Sequence, residues 1–260
     1  MNAICTILTD YYMDYFTSFI NSILLNSSNL LEKNDLVIIT NNKEIKDVPE
    51  YVYTCNCEPR ISCTHQTRLN FTLSEFNRER IKKIIPNVKF LDIDVDLFLS
   101  RKKISPHYWS VMCFSLYEYD KVLSMDSDML VLSDISDLFS LDCNFGICKI
   151  KGFSNVYDLN GGLFLIGKNY LNKEMFEFLL NDSADLEKAV GPQESYKRLA
   201  LKGFYDIGEI YNSGVPGTYF ENISKVKILH YMYKPNTVFS SDKIDPRFTE
   251  FWLKYFKGAM

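Results

Sequence analysis

The sequence predicts an α/β protein in which a single mixed sheet is flanked by helices. Short apolar runs alternate with segments whose apolar residues recur at helical spacing, and this alternation continues along most of the chain. No linker, low-complexity tract or internal repeat divides the 260 residues. One domain over residues 1–260 is therefore the expected organisation.

The individual elements follow from these patterns in chain order. Apolar runs predict strands at residues 3–8, 35–40, 88–92, 145–150 and 162–167, with a central strand that ends at Met125. A last strand over residues 226–230 is expected to close the sheet. Helical spacing predicts helices at residues 13–25, 67–85, 108–118, 173–180, 193–202 and 247–256, and Pro86 stops the second of these.

Composition and charge narrow the classes of function. The net charge is −4, the pI is about 5.5 and the basic residues are scattered, so nucleic acid is a poor candidate partner. No apolar run approaches the roughly 18 residues of a membrane span. The first ten residues lack the basic segment of a signal peptide. The seven cysteines do not frame short loops, so reduced thiols and a cytoplasmic location are expected.

Two carboxylates follow the central strand directly. Asp126 and Asp128 flank Ser127, and a second apolar run begins at Met129. This pattern predicts a buried strand whose exposed carboxyl end carries the acidic pair, at the sheet edge where α/β proteins place their ligands. Two hard oxygen ligands suit Mg²⁺ or Mn²⁺, and such an ion suits a bound diphosphate.

Two further segments combine with this pair. Asp10 and Tyr12 end the first strand, where a ring can stack on a base and a carboxylate can accept from a base or a ribose; an N-cap and half-exposed tyrosines explain the same residues. Asn160 and Gly161 precede a later strand, where a small residue permits close approach of a ligand to the backbone. A plain turn explains this second segment equally well.

Two later segments complete the set. Gln193 and Glu194 open a helix after a proline, which needs no function. His230 ends an apolar strand and is a candidate third metal ligand, and Lys234 just beyond it could neutralise a diphosphate.

Together and in this order, these segments resemble family 8 of the retaining glycosyltransferases, the group of glycogenin and of bacterial lipopolysaccharide galactosyl- and glucosyltransferases. The most specific part is residues 120–132 followed by 134–139, which are similar to the family's strand, Asp-x-Asp, apolar triplet and short acidic helix ending in Leu-Phe. Residues 159–162 are similar to its Phe-Asn-Ala/Ser-Gly segment. The start of the chain, residues 8–12 followed by Ser22, is similar to its nucleotide-contacting segment.

The resemblance implies a GT-A fold with a Rossmann-like sheet, a UDP-sugar donor, a carbohydrate or glycoprotein acceptor, and a Mn²⁺ ion, with Mg²⁺ as the alternative. It places the metal on Asp126, Asp128 and His230. It also implies which residues contact the UDP-sugar. Tyr12 and Asp10 would lie at the base or ribose, and Lys234 at the diphosphate. Asn160, Gly161 and Gln193 would lie at the sugar, and Ser127 and Ser110 are further implied donor contacts.

Three positions depart from the family pattern. Pro192 stands where the family has an aspartate before Gln193, and Glu194 is the candidate substitute for that acidic group. The segment between His230 and Lys234 is shortened and has lost its glycine. The basic residue expected on the helix before the acidic pair is absent near Ser110, and Arg101, Lys102 and Lys103 are the nearby candidates to replace it.

Other interpretations stay open at this point. A non-catalytic nucleotide-sugar-binding protein would account for the three departures. A nucleotidyltransferase also uses a carboxylate pair at a strand end, although the Gly-rich basic loop typical of that class is absent near the N-terminus. Separately, Cys55, Cys57, Cys63 and His65 could supply four zinc ligands, or form a loop with reduced thiols.

Overall fold

The computed structural model describes residues 1–43, 45, 71–149, 159–182, 192–215, 218–232 and 245–257. The possible zinc ligands between Cys55 and His65 lie outside these residues, and so does Lys234.

A seven-stranded mixed sheet forms the centre of the fold. Its strands are β1 (Asn2–Ile7), β2 (Asp35–Thr40), β3 (Lys89–Asp92), β4 (Lys121–Met125), β6 (Phe145–Lys149), β7 (Leu159–Gly167) and β8 (Tyr205–Asp206), and their order is β3-β2-β1-β4-β7-β6-β8. The first four strands in this order pair in parallel. β7 is antiparallel to both β4 and β6. The predicted mixed sheet is therefore confirmed.

Helices cover both faces of this sheet. Within the described residues, the α-helices are α1 (Met13–Asn26), α2 (Ser28–Lys33), α3 (Glu75–Ile84), α4 (Val95–Ser100), α5 (Lys173–Asn181), α6 (Gln193–Ala200) and α7 (Arg247–Phe256). Side chains alternate across the strands: Ile4 and Ile38 pack with residues of α1 on one face, whereas Cys5 and Val37 pack on the other.

A second, three-stranded sheet stands beside the first. It contains β5 (Met129–Val131), β9 (Ser213–Gly214) and β10 (Ile228–His230) in the order β5-β10-β9. Leu130 and Leu229 pack in one apolar cluster with Tyr15 of α1 and Trp252 of α7. The expectation that the strand ending at His230 closes the main sheet is therefore wrong, because this strand pairs with β5 and β9 instead.

The segment before β4 also differs from the prediction. Residues Pro106–Ser115 form a 3₁₀ helix, where an α-helix over residues 108–118 was expected. Its apolar side chains are not confined to one side, and Trp109 is fully buried with its indole N–H donating to the carbonyl of Ile104. This segment is packed on all sides, so its 3₁₀ conformation is set by tertiary contacts and not by a one-sided helical pattern of apolar residues.

Two smaller observations concern the cysteines and the helices. Cys5, Cys113, Cys143 and Cys148, which are the cysteines within the described ranges, are all free thiols. Within the same ranges, no helix has both the length and the apolar character that crossing a membrane requires.

Candidate active site

The acidic pair occupies the turn between the two sheets. β4 ends at Met125 and β5 begins at Met129, so the turn places both carboxylates at the carboxyl edge of the parallel strands. The N–H of Asp126 donates to the carbonyl of Gly162 at 2.8 Å, which fixes the start of the turn against β7. The apolar run therefore buries the strand up to the position where the polar chemistry begins.

His230 reaches this turn through the pairing of β10 with β5. The two strands are antiparallel and bring His230 opposite Met129, and the N–H of Tyr231 donates to the carbonyl of Asp128 at 3.0 Å. The imidazole Nε2 consequently lies 3.2 Å from Asp128 Oδ1 and 3.8 Å from Asp126 Oδ2. One ligand atom from each of the three residues falls within 4.8 Å of the others.

These three side chains fit a divalent cation. Asp128 Oδ1 is buried without a hydrogen-bond partner in the described structure, and an oxygen in that state is poorly solvated unless a cation is bound. Burial and the neighbouring Asp128 carboxylate raise the pKa of Asp126 to about 7, although His230 acts in the opposite direction. Burial lowers the pKa of His230, but the two carboxylates outweigh it and hold that pKa above its usual value.

The backbone beside the cluster is equally constrained. A Cβ at Gly162 would lie 2.4 Å from His230 Cε1, 2.8 Å from Asn160 Oδ1 and 2.9 Å from Asp126 Oδ2. No side chain fits at this position unless the cluster moves. Gly162 therefore allows β7 to approach the three side chains closely.

A cavity of about 300 Å³ opens beside the acidic pair. Most of the residues predicted to contact a donor line it: Tyr12, Ser110, Asp126, Ser127, Asp128, Asn160, Gly161 and Gln193. Burial, followed by the carboxylates of Asp128 and Asp126, raises the pKa of the Tyr12 phenol to about 12. This phenol is therefore neutral at physiological pH.

The backbone of β7 holds the side chain of Gln193. Its amide nitrogen donates to the carbonyl of Leu159, and its oxygen accepts from the N–H of Gly161 at 3.4 Å. Asn160 is tied in a similar way, because its side-chain oxygen accepts from the N–H of Gly162 at 2.8 Å. Both carboxamides are thus fixed in orientation at the wall of the cavity.

Asn212 is a residue of this site that sequence reasoning missed. It is fully buried, and its side-chain oxygen lies 2.8 Å from His230 Nδ1, while its side-chain nitrogen lies 3.0 Å from Asn160 Oδ1. It follows a short 3₁₀ turn, and its role depends on contacts with residues distant in sequence. No local pattern signals these contacts.

Two predicted site residues have other partners in the structure and do not line the cavity. One carboxylate oxygen of Asp10 accepts from the backbone and hydroxyl of Ser74 and from Asn77, at the N-terminus of α3. Glu194 pairs with Lys197 on its own helix at 2.9 Å.

The candidates to replace the missing basic residue are also placed elsewhere. Lys103 is buried, and its ammonium group donates to the carbonyls of Leu179 and Asp182 at the end of α5. Ser110 does line the cavity, where its hydroxyl is 2.7 Å from that of Tyr196. Among the described cavity residues there is neither a lysine nor an arginine.

Several solved structures with the same architecture are glycosyltransferases. The galactosyltransferase LgtC in complex with donor and acceptor sugar analogs matches with a TM-score of 0.67 and 16% identity, over 99% of this chain and 97% of that chain. Apo GlyE from Streptococcus pneumoniae TIGR4 matches with a TM-score of 0.64 and 17% identity, over 99% of this chain and 60% of that chain. An active-site mutant of LgtC, in which a glutamine is changed to glutamate, matches with a TM-score of 0.59 and 16% identity, over 97% and 94% of the two chains.

The fold defined by these structures is the GT-A fold of glycosyltransferases, as the sequence resemblance implies. The chain belongs to glycosyl transferase family 8, whose sequence model matches residues 3–215. A comparison with the sequences of curated proteins found no significant match.

Proposed function

We propose that this glycosyltransferase is a metal-dependent, retaining hexosyltransferase. It moves a hexose from a UDP-sugar, with UDP-glucose or UDP-galactose as the expected donor, to a hydroxyl of a glycan or protein acceptor. The observation that carries the proposal is the position of Asp126, Asp128 and His230 beside a cavity of about 300 Å³ whose wall holds two fixed carboxamides.

Asp126, Asp128 and His230 would hold Mn²⁺, or Mg²⁺ in its place. Two carboxylates and an imidazole are ligands that Mn²⁺ accepts. Asp128 Oδ1, which is buried without a hydrogen-bond partner in the described structure, would gain a partner when the ion binds. The bound ion would neutralise the charge that develops on the leaving diphosphate. Lys234 is proposed to add a second positive charge there.

The cavity wall supplies the contacts to the rest of the donor. The neutral ring of Tyr12 offers an apolar surface for the uracil base. Asn160 and Gln193 would face the sugar, where their carboxamides can bond to hydroxyl groups. The hydrogen bonds of both side chains to β7 fix these contacts before the donor arrives, which lowers the entropic cost of binding.

Retention is proposed to occur by attack of the acceptor on the face from which the diphosphate leaves. A covalent glycosyl-enzyme needs a carboxylate near the anomeric carbon. Asp126 and Asp128 are the only carboxylates among the described cavity residues, and both are assigned to the metal. Gln193 is a poor nucleophile. The active-site glutamine named for LgtC supports a glutamine in this environment.

One observation favours a second candidate, a nucleotide-sugar-binding protein that does not catalyse transfer. The described part of the cavity carries no lysine or arginine to balance a diphosphate. Such a protein would bind UDP-sugars in the presence of the metal but would release no UDP.

The test is a panel of UDP-sugars incubated with the protein and Mn²⁺, with UDP release as the readout and a chelator as the control. Release of UDP from one or more donors, abolished by the chelator, is the expected result. Binding without UDP release would favour the non-catalytic alternative, and pyrophosphate-dependent chemistry would indicate a nucleotidyltransferase. Intact mass before and after incubation shows whether the protein itself is the acceptor.

A further inference from the structure

Asn212 lies directly beside the candidate metal ligand His230. Its backbone N–H donates to the carbonyl of Glu209 at 3.0 Å, which closes the turn that precedes β9. β9 and β10 pair in parallel with Gly214 opposite His230. This pairing places the Asn212 side chain, which is fully buried, against the far side of the imidazole from the carboxylates.

A backbone donor fixes the orientation of two side-chain amides. The N–H of Gly162 can only donate, so the atom of Asn160 that meets it at 2.8 Å must be the oxygen. The atom of Asn212 that lies 3.0 Å from this oxygen must in turn be the amide nitrogen. The remaining end of the Asn212 carboxamide is therefore its oxygen, which faces His230 Nδ1 at 2.8 Å.

The orientation determines where the imidazole carries its proton. An amide oxygen only accepts, so Nδ1 of His230 must be protonated. In the neutral ring the lone pair then lies on Nε2, the atom that is 3.2 Å from Asp128 and 3.8 Å from Asp126. A lone pair in that direction is what a metal between the carboxylates needs.

The same chain of hydrogen bonds reaches the sugar end of the cavity. The oxygen of Asn160 receives two hydrogen bonds, one from Gly162 and one from Asn212. The side-chain amide nitrogen of Asn160 is therefore the group that Asn160 can offer to a ligand in the cavity. One buried side chain thus touches both the candidate metal ligand and the candidate sugar contact.

We propose that Asn212 is a positioning residue that holds His230 in the metal-binding tautomer and holds Asn160 towards the sugar. The inference rests on the proposed function for the identity of the donor. Its tests by metal affinity and by the imidazole proton do not depend on glycosyl transfer. A wild-type protein that releases no UDP would therefore defeat the proposed function and leave this inference open to its own test.

The first experiment compares Asn212→Ala with wild type in two measurements. Mn²⁺ affinity is measured by the paramagnetic resonance signal of the free ion. The protonated nitrogen of His230 is identified by ¹⁵N NMR of the metal-free protein, at a pH where the ring is neutral. The chain has three histidines, so a His230→Gln variant assigns the signal. Asn21→Ala is the matched control, since Asn21 is an equally buried asparagine whose amide donates to the carbonyl of Tyr255.

We expect Asn212→Ala to lower the Mn²⁺ affinity by about 10- to 100-fold, the usual effect of losing a group that orients a metal ligand. We also expect the proton to redistribute from Nδ1 towards Nε2. The Asn21→Ala control should change neither property. Wild-type affinity with the proton still on Nδ1 would overturn the proposal. An equal loss of affinity in the control would overturn it as well, because the effect would then be one of general packing.

Asn212→Asp separates the two roles and serves if the alanine variant does not fold. A carboxylate still accepts from Nδ1–H, but it cannot donate to the oxygen of Asn160 and repels it. We expect Mn²⁺ affinity close to that of wild type together with a raised Kd for the UDP-sugar, measured by calorimetric titration. An unchanged Kd, or a loss of Mn²⁺ affinity as large as that expected for alanine, would contradict the coupling of the two sites through Asn212.

Discussion

Replacing Gly162 with alanine is the perturbation that the geometry of the site constrains most closely. The added Cβ would lie 2.4 Å from Cε1 of His230, whereas carbon atoms in contact normally stand about 3.5–4.0 Å apart. Removing the overlap requires a shift of about 1 Å or more. His230 is only 3% exposed, so the ring can move only if the groups packed around it move as well. Asp126 Oδ2 and Asn160 Oδ1 are also closer than 3.0 Å to the added atom.

The expected cost follows from the displacement of these groups. Adding a methyl group to a packed site typically costs about 1–3 kcal/mol. If the added methyl group displaces the metal ligands, this free energy is lost from metal binding, and the Mn²⁺ affinity of Gly162→Ala decreases by about 5- to 150-fold. Calorimetric titration of the metal-free protein with Mn²⁺ measures this change directly. Thermal unfolding in the absence of metal shows how much of the cost appears as lost stability instead.

Gly161 provides a matched control on the same strand. A Cβ there would meet the ring of Tyr196 at 3.0 Å and Gln193 Oε1 at 3.6 Å, and its three nearest atoms include none from a candidate metal ligand. We therefore expect Gly161→Ala to disturb donor binding and leave the Mn²⁺ affinity as in wild type. Wild-type Mn²⁺ affinity and wild-type stability in Gly162→Ala would refute the reasoning, because the three side chains would then not occupy the positions described.

Three further predictions concern pH, the base and a buried lysine. Mn²⁺ affinity should fall as the pH drops below about 7, since the ion must then displace protons from Asp126, whose pKa is about 7, and from His230, whose pKa lies above its usual value; a calorimetric series across pH tests this, and a flat profile would contradict it. Tyr12→Ala should weaken UDP binding by about 5- to 150-fold if the ring stacks on the base, which is worth about 1–3 kcal/mol, whereas Tyr12→Phe should bind UDP like wild type. Lys103→Met should reduce the free energy of unfolding by about 1–3 kcal/mol, because the buried carbonyl of Leu179 and the partly buried carbonyl of Asp182 lose their donor; urea unfolding measures the loss, and the Mn²⁺ affinity should stay unchanged.

Local sequence signals account for most of the main sheet and for the position of the acidic pair. The apolar run up to Met125 is buried as β4, and the two carboxylates follow it at the sheet edge. The strand over residues 35–40 and the helix over residues 247–256 have the predicted bounds. In each case the pattern that marks the element lies within the element itself, so no distant contact is needed to recognise it.

Features that depend on distant contacts were not predictable in the same way. The strands of the small sheet have two or three residues, which is too short for a periodic pattern, and the pairing of β10 with β5 determines where His230 lies. The position of His230 at the end of an apolar strand made it a candidate third metal ligand, and the resemblance to the family then placed it with the two carboxylates. Asn212 has no such precedent in the sequence reasoning, since its hydrogen bonds join β7 to β10.

Lys103 is a residue that the sequence suggested for the site but that the structure places elsewhere. As a charged residue near the predicted site, it was one of three candidates to replace the basic residue that the family pattern expects before the acidic pair. The structure instead buries its ammonium group against the carbonyls that end α5. A sequence shows that a lysine is present, but whether its charge faces a ligand or a helix terminus is decided by packing.

The most direct test of the central claim is the rate of UDP release by Asp128→Asn in the presence of Mn²⁺ and the preferred UDP-sugar. Asparagine keeps the shape of the side chain but removes the charge of a proposed metal ligand. Asp142→Asn, a variant of an exposed aspartate outside the cavity, is the control. A bound metal supplies several kcal/mol of charge stabilisation, so we expect the rate of Asp128→Asn to fall by at least about 100-fold. Undiminished UDP release by Asp128→Asn would contradict the assignment of this protein as a metal-dependent hexosyltransferase.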